Sequence, residues 1–321
     1  MMDLIPVRVR SVVYEACDAL SFELERPDRT PLPPVDPGAH IDVHLPNGMM
    51  RSYSLSNAGP FDGRYRITVA RDVATRGGSA YMHDQLRCGQ VIEISVPRNH
   101  FRLDETPPLS VFIAGGIGVT PFLPMMSRLN AIGRAWRLHY CVRTRDRAAL
   151  LEEAEALAKA GMGVVFTNFD GEPGGQMLDL NVLLDALPGD AHVYCCGPTG
   201  MLDAFRGGAA AVGIAAERIH FEYFSSNVVT ASAGGYSVRL ERSGLDLEIQ
   251  PGQTILNAVL DMGIDVPYSC EEGVCGACET RIISGIGDHR DLLLSDEEKA
   301  ANKSIMICCS GSKSDLLVLD L

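Results

Sequence analysis

The sequence predicts a multidomain chain: an antiparallel β-barrel, then an α/β domain built on a doubly wound parallel sheet, then a small α+β domain. Three observations carry that prediction. Up to about residue 100, short β-branched runs are separated by turn-rich pieces. From Leu109, strand-like and helix-like stretches alternate. From Tyr236, a hairpin pattern and one helix lead into a crowd of cysteines. A length of 321 residues suits two or three cores. The expected divisions are 1–106 for the barrel, 107–226 for the α/β domain, 227–235 for a small polar linker and 236–321 for the last domain.

In the first segment the runs Val7 to Val13, His40 to Leu45, Arg64 to Ala70 and Val91 to Val96 read as strands, divided by Pro31 to Gly38 and Pro46-Asn47-Gly48. Closure into a barrel or sandwich follows. Within it lies Arg51-Ser52-Tyr53-Ser54-Leu55-Ser56-Asn57. Strand alternation puts Arg51, Tyr53 and Leu55 on one face and the serines on the other. An arginine for phosphate, an aromatic for a flat ring and hydroxyls for ring heteroatoms suit a flavin, although Arg and Tyr also decorate ordinary strands. Arg76-Gly77-Gly78-Ser79 precedes a helix expected from Ser79 to about Cys88, with Ser79 as N-cap. Glycine N–H groups before a helix start can meet an anion, and Arg76 adds charge; a plain glycine loop is the bland alternative.

The second segment gives strands at Val111 to Ala114, Arg137 to Val142, Val164 to Asn168, His192 to Cys196 and Ile219 to Phe224. Helices are expected after Thr120, over Arg147 to Ala160, over Leu178 to Leu187 and over Thr199 to Val212. Right-handed crossovers make that a parallel sheet, whose ligands bind at the carboxyl ends of the strands. The first strand ends in Ala114-Gly115-Gly116-Ile117-Gly118-Val119-Thr120-Pro121, with Thr120 as expected N-cap and Pro121 as first helical residue. Pro121 stands where a G-x-G-x-x-G fingerprint has its third glycine, so this is a variant. The fourth strand ends in Cys195-Cys196-Gly197-Pro198, which also fits simple packing before a turn. After the second strand an acid for the ribose hydroxyl is wanted, but Val142-Arg143-Thr144-Arg145-Asp146 offers arginines, which can instead welcome a 2′-phosphate.

In the last segment a hairpin over Tyr236 to Glu241 and Leu245 to Gln250 is followed by a helix capped by Thr254 and running through Met262. Then come Cys270, Cys275 and Cys278, answered by Cys308 after 29 intervening residues. C-x4-C-x2-C with a distant fourth cysteine is the plant-type ferredoxin spacing, which holds a 2Fe-2S cluster through four thiolates. Gly273, Gly276 and Ala277 give the small or φ-permissive positions that a tight curl needs, leaving N–H groups to face the sulfurs. Four-cysteine zinc sites usually come as two C-x2-C pairs instead.

Met1 to Arg10 lacks the apolar core of a signal peptide, so the expected location is the cytoplasm, with reduced thiols. Cys17, Cys88, Cys141 and Cys309 belong to no motif and are expected to be packing residues. The uncharged stretch Thr106 to Ser127 is broken by prolines and glycines and is not expected to span a membrane. A formal charge of −13 argues against a nucleic-acid partner, which requires a basic face. From Tyr236 to Leu321 there are 15 acidic against 7 basic residues, a surface suited to steering toward a basic partner.

Taken in order, Arg51-x-Tyr53-Ser54, Gly116-x-Gly118, Cys196-Gly197-Pro198 and the cysteine loop resemble the phthalate dioxygenase reductase family. Those are flavin reductases of the ferredoxin-NADP reductase superfamily that end in a plant-type ferredoxin (β-grasp) domain. Asp288-His289-Arg290-Asp291 resembles the vanillate O-demethylase reductase branch. The resemblance implies FMN, with Arg51, Gly77, Gly78 and Ser79 at its phosphate, where Arg76 would add charge, Tyr53 packed on the ring and Ser54 near the reactive nitrogen. It implies that Gly116, Gly118 and Thr120 hold the dinucleotide. Cys196, Gly197, Pro198 and the Glu222 to Phe224 segment would lie near the nicotinamide, with Ser54 and Cys196 as catalytic residues. Cys270, Cys275, Cys278 and Cys308 would be the ligands, Cys309 being a bystander. The expected role is a reductase passing electrons from NADH through FMN and the cluster to a Rieske-type oxygenase. Two alternatives stand beside it: a self-contained flavin reductase, and a zinc-stabilised binding module without enzyme activity.

Overall fold

The computed structural model describes residues 4–72, 77–224 and 229–321. Arg76 therefore lies outside the described residues, as do 225–228, where the α/β domain was expected to end and the linker to begin. The described residues form two compact units, one up to Phe224 and the other from Val229 onward.

The first unit opens with strands β1 (Leu4–Ala16), β2 (Ala19–Glu25), β3 (His40–His44), β4 (Met50–Ser54) and β5 (Tyr65–Ala70), then helix α1 (Gly78–Asp84) and strand β6 (Val91–Ser95). The sheet order is β4-β3-β6-β1-β2-β5, all antiparallel, and a single bridge from Leu55 to Ile67 joins its two ends. β1 keeps pairing with β2 through two register shifts, the bulges that let a long strand bend around a small barrel. Alternate residues point inward: Val7, Val9, Phe22, Leu24, Ile41, Val43 and Ile67 are buried in one cluster. On the opposite face of β3 the wholly buried carboxylate of Asp42 pairs with Arg98 at 2.5 Å and accepts from Ser52 Oγ at 2.6 Å. Removing one partner of such a pair costs about 3–5 kcal/mol, so the pair pins β3 and β4 against the segment after β6.

The α/β part comprises β7 (Leu109–Gly115), α2 (Phe122–Ala131), β8 (Ala135–Val142), α3 (Leu151–Ala160), β9 (Gly163–Phe169), α4 (Leu180–Asp185), β10 (His192–Cys196), α5 (Thr199–Val212) and β11 (Ile219–Glu222). Its five strands are parallel in the order β11-β10-β7-β8-β9, as the strand and helix alternation predicted. The chain winds outward from β7 in one direction and then returns to start β10 on the other side, which puts the topological switch point between β7 and β10. Ala16 and Ala19 of the barrel hairpin, and Phe101 from the connecting segment, bury themselves in the α/β core with Phe112, Phe122 and Tyr194. Arg66 of the barrel adds an ion pair to Glu153 of α3 at 2.9 Å. These contacts make barrel and sheet one body.

Several helix starts differ from expectation. α1 has Gly77 as N-cap, at φ +101°, and Ser79 sits inside the first turn, its hydroxyl accepting from Asp72 N at 3.2 Å. The helix stops at Asp84, short of Cys88. A 3-10 turn, Gly116–Val119, intervenes before α2, so Pro121 is the N-cap and Thr120 is not. The Thr120 hydroxyl donates back to Ile117 O at 3.0 Å, which removes it from capping duty. α3 begins at Leu151 because Arg145–Arg147 forms its own short turn, and α4 is shorter than expected, capped by Asp179.

The second unit holds β12 (Tyr236–Leu240), β13 (Leu245–Ile249), α6 (Ile255–Asp261), β14 (Glu279–Ser284), β15 (Gly287–Asp288), α7 (Asp296–Ala301), β16 (Ser304–Met306), β17 (Gly311–Ser312) and β18 (Leu316–Leu319). The main sheet runs β13-β12-β18-β14-β16, with β12 and β18 parallel. The hairpin and the Thr254-capped helix fall where the sequence put them, Thr254 Oγ1 accepting from Asn257 N at 3.0 Å. α6 buries Ile255, Leu256, Ala258 and Val259 in the same cluster as Val238, Leu247 and Leu317. Among the described residues no helix is long and apolar enough to cross a membrane.

Candidate functional site

At the carboxyl ends of the parallel strands lies a cleft of about 730 Å³, walled by Gly115, Gly116, Ile117, Pro198 and Met201 at the switch point and by Arg143, Asn168 and Asp170 farther along. Its floor explains two of the glycines. A Cβ on Gly118 would stand 2.1 Å from the Cys196 carbonyl oxygen, and one on Gly115 would stand 2.6 Å from Pro198 Cδ. The loops after β7 and β10 touch there with no room for a side chain. Gly116, at φ +55°, has nothing within 4 Å, so its Cβ position is open. Thr120 is buried with its hydroxyl on Ile117 O, and no arrangement toward the cleft is seen for it.

β4 presents the barrel's contribution. Arg51 and Tyr53 stand opposite Val43 and Ile41 in the β3 register, whereas Ser52 and Ser54 turn to the other side, as the alternation predicted. Arg51 lies directly over the start of α1: a Cβ on Gly78 would come 2.7 Å from both its Cγ and its Nε. Residues 27 apart in sequence, expected separately as anion holders, thus form one cradle that only a glycine leaves open. Tyr53 packs against the barrel core, and burial raises its hydroxyl above the usual phenol range. This donor set, an arginine beside small N–H-bearing residues with an aromatic next along the strand, fits a flavin phosphate and ring.

Barrel and sheet meet at Ser54, whose Oγ donates to Glu222 Oε2 at 3.4 Å. Glu222 is paired in register with Cys196, the last residue of β10, which is wholly buried. The two residues expected to be catalytic, Ser54 and Cys196, are therefore joined by a third that sequence reasoning named only as part of a segment. Phe224 is 39% exposed at the end of that segment. Burial pushes the Glu222 carboxyl up to about 8, with the Ser54 hydrogen bond opposing, and holds the Cys196 thiol well above its ordinary value. Both are neutral at pH 7. Between the unfolded carboxyl's value, near 4.5, and about 8, the native state keeps a proton that the unfolded state has released. Stability should therefore fall as pH rises through that window. Thermal unfolding from pH 6 to 9 should show that decline in the parent protein and a flatter profile in Glu222→Gln.

In the second unit, Glu272 N and Val274 N donate to Cys270 Sγ at 3.3 and 3.5 Å, and Cys270 N donates to Cys275 Sγ at 3.4 Å. The Cys270 thiol interacts with those of Cys275 and Cys308, and the Cys308 thiol interacts in turn with those of Cys278 and Cys309. Glu271 adopts φ +58°, Gly273 +71° and Gly276 +74°, which is how the loop curls. A Cβ on Gly273 would stand 2.5 Å from Cys309 Sγ. Cys309 is thus packed behind the loop and bonded toward Met306 O and Ser310, and its thiol also interacts with that of Cys308. Among the described residues no three metal-ligating side chains converge as a single-ion centre would need. A 2Fe-2S cluster requires only two thiolates on each iron, and the N–H groups aimed at sulfur suit its thiolate charge. Of the other cysteines expected to pack, Cys88 is exposed, and Cys17 and Cys141 line the cleft instead.

Comparison with known proteins follows the same division. The chain matches the 2Fe-2S iron-sulfur cluster binding domain family over residues 238–312 and the oxidoreductase NAD-binding domain family over 112–207. It is 49% identical over 318 residues to a phenoxybenzoate dioxygenase subunit beta of Ectopseudomonas oleovorans, covering 99% of this chain and 97% of the relative. A tetrachlorobenzoquinone reductase of Sphingobium chlorophenolicum is 44% identical over 319 residues, covering 99% and 98%. The solved phthalate dioxygenase reductase, described as a modular structure for electron transfer from pyridine nucleotides to a 2Fe-2S centre, superposes with a TM-score of 0.74 at 37% identity, covering 99% and 98%.

Proposed function

This chain belongs to the phthalate dioxygenase reductase family, and we propose that it is the reductase component of a two-component oxygenase, carrying electrons from NADH by way of FMN and a 2Fe-2S cluster to a Rieske-type oxygenase. The observation that carries this reading is the Ser54–Glu222 contact, which sets the flavin strand against the carboxyl end of the nucleotide sheet. FMN, when bound, supplies the conversion of a hydride's electron pair into single electrons, which a 2Fe-2S cluster takes and passes on one at a time.

The residues have separate tasks. Arg51 and the Gly77-Gly78-Ser79 turn, with Arg76, would hold the phosphate end, and Tyr53 would pack on the ring. Ser54, oriented by its hydrogen bond to Glu222, would present its hydroxyl to the ring. Gly116, Gly118, Gly197 and Pro198 would let the dinucleotide backbone approach the sheet, and Phe224 would flank the nicotinamide side. Cys196 and Glu222, both protonated at neutral pH, keep the transfer region free of negative charge that would oppose an incoming hydride. Cys270, Cys275, Cys278 and Cys308 hold the cluster, and the acidic residues of that unit favour docking on a basic face of the oxygenase. The six cysteines of this chain outside that set suit a reducing cytoplasm as free thiols.

Anaerobic stopped-flow mixing of the purified holoprotein with NADH tests the reading. The flavin absorbance should bleach first and the iron-sulfur signal should follow in the same sample, with cytochrome c reduced afterward. A preparation whose iron-sulfur absorbance is unchanged after flavin bleaching would defeat it. A second reading, reduction of a small quinone, is favoured by the tetrachlorobenzoquinone reductase relative. It requires quinone turnover to persist in a cluster-free variant, whereas oxygenase-coupled turnover would not.

A further inference from the structure

The acid that the sequence lacks after β8 is supplied by the next strand. Asp170 follows β9 directly, its N–H donating to Val142 O at 3.3 Å, and Gly171 N donates to Arg143 O at 2.7 Å. A Cβ on Gly171 would stand 2.6 Å from that same oxygen, so the Asp170-Gly171 turn is fixed onto the end of β8 by an approach only glycine permits. Asp170 Oδ2 accepts from Arg143 Nη1 at 3.2 Å. Its Oδ1 is buried and meets no donor among the described residues, although the side chain lines the nucleotide cleft. A buried carboxylate oxygen without a donor is costly, and a ligand hydroxyl is the group that would satisfy it.

The neighbouring charges weigh against the competing assignment. Arg145 is 4.0 Å from Glu155 and lies over the Phe169 ring, Arg147 is 3.5 Å from Asp18, and Thr144 donates its hydroxyl to Asp146. Each arginine of the segment is already faced by an acid. A 2′-phosphate would have to separate Arg143 from Asp170 and then sit beside a carboxylate left without its counter-ion.

We propose that Asp170 reads the adenosine ribose of the coenzyme: Oδ1 accepts the 2′-hydroxyl, and the carboxylate, held in place by Arg143, turns away a 2′-phosphate. This rests on the NADH-oxidising function proposed above. In the full-length holoprotein, calorimetric titration with NAD⁺ and NADP⁺ should show Asp170→Asn losing about tenfold to a hundredfold in NAD⁺ affinity, the worth of a charge-assisted hydrogen bond. NADP⁺ should bind more tightly than to the parent, and the kinetic change with NADH should fall more on KM than on kcat. Adding Arg143→Ala to Asp170→Asn should erase the NADP⁺ gain, whereas Asp170→Glu, with the charge kept but displaced, should still refuse NADP⁺. An unchanged ratio of NAD⁺ to NADP⁺ affinity in Asp170→Asn overturns the proposal while leaving the function intact. A parent protein that does not oxidise NADH overturns the function as well.

Discussion

Replacing Cys275 by serine should abolish electron delivery to cytochrome c or to the oxygenase, by at least about a hundredfold, while NADH still reduces the flavin. The size follows from comparison with outer-shell changes, which alone cost roughly 10- to 100-fold in metal sites. Cys275 is 6% exposed and already receives the Cys270 N–H, so the serine hydroxyl would occupy the same niche without a thiolate to bind iron. Loss of the iron-sulfur absorbance together with retained NADH-ferricyanide activity is the expected pair of measurements. Simultaneous loss of both activities would show that the two units do not divide the work as proposed. The parallel change at Cys309 should leave cluster absorbance in place, because its sulfur packs behind Gly273.

The second large effect is expected on the other side of the chain. Gly118→Ala places a methyl group where only 2.1 Å separates it from the Cys196 carbonyl oxygen, so the loops after β7 and β10 must part. A displacement of about 1 Å at a hydride-transfer site costs on the order of a hundredfold in rate, since the reacting atoms must meet near contact distance. Flavin content and cluster absorbance should stay at parental levels, which separates this outcome from misfolding. Gly116→Ala is the control. Nothing stands within 4 Å of the added carbon, and only the left-handed backbone at φ +55° is strained, at about 1–2 kcal/mol, so its effect on flavin reduction should be much smaller. Stopped-flow flavin bleaching with NADH measures both.

What could be read from the sequence, and what could not, follows from the range of the interactions involved. The parallel sheet was legible because five strand-like runs separated by helices leave few alternatives. The cysteine loop was legible because its spacing is local. Arg51 and Gly78 could each be named, but their closeness could not, because it depends on how β4 and α1 are placed by the barrel. Glu222 and Asp170 were missed as individual residues for a related reason: each becomes distinctive only through a partner on another element, Ser54 in one case and Arg143 in the other. The helix starts at Ser79 and Thr120 were misplaced because both hydroxyls had competing backbone partners, Asp72 N and Ile117 O. Those partners exist only after the turns have formed.

The pairing of β12 with β18 also dictates an order of events at the ribosome. Val238 lies beside Leu317 and Leu240 beside Leu319, so the centre of the second unit's sheet joins its first strand to its last. Until the residues of β18 have been synthesised and released from the exit tunnel, the hairpin of β12 and β13 has no central neighbour, and Cys308 cannot be brought to the other three cysteines. The unit ending at Phe224 is complete by then and can fold as synthesis proceeds. A cluster can therefore be enclosed by all four cysteines only after the unit ending at Phe224 has had the chance to fold.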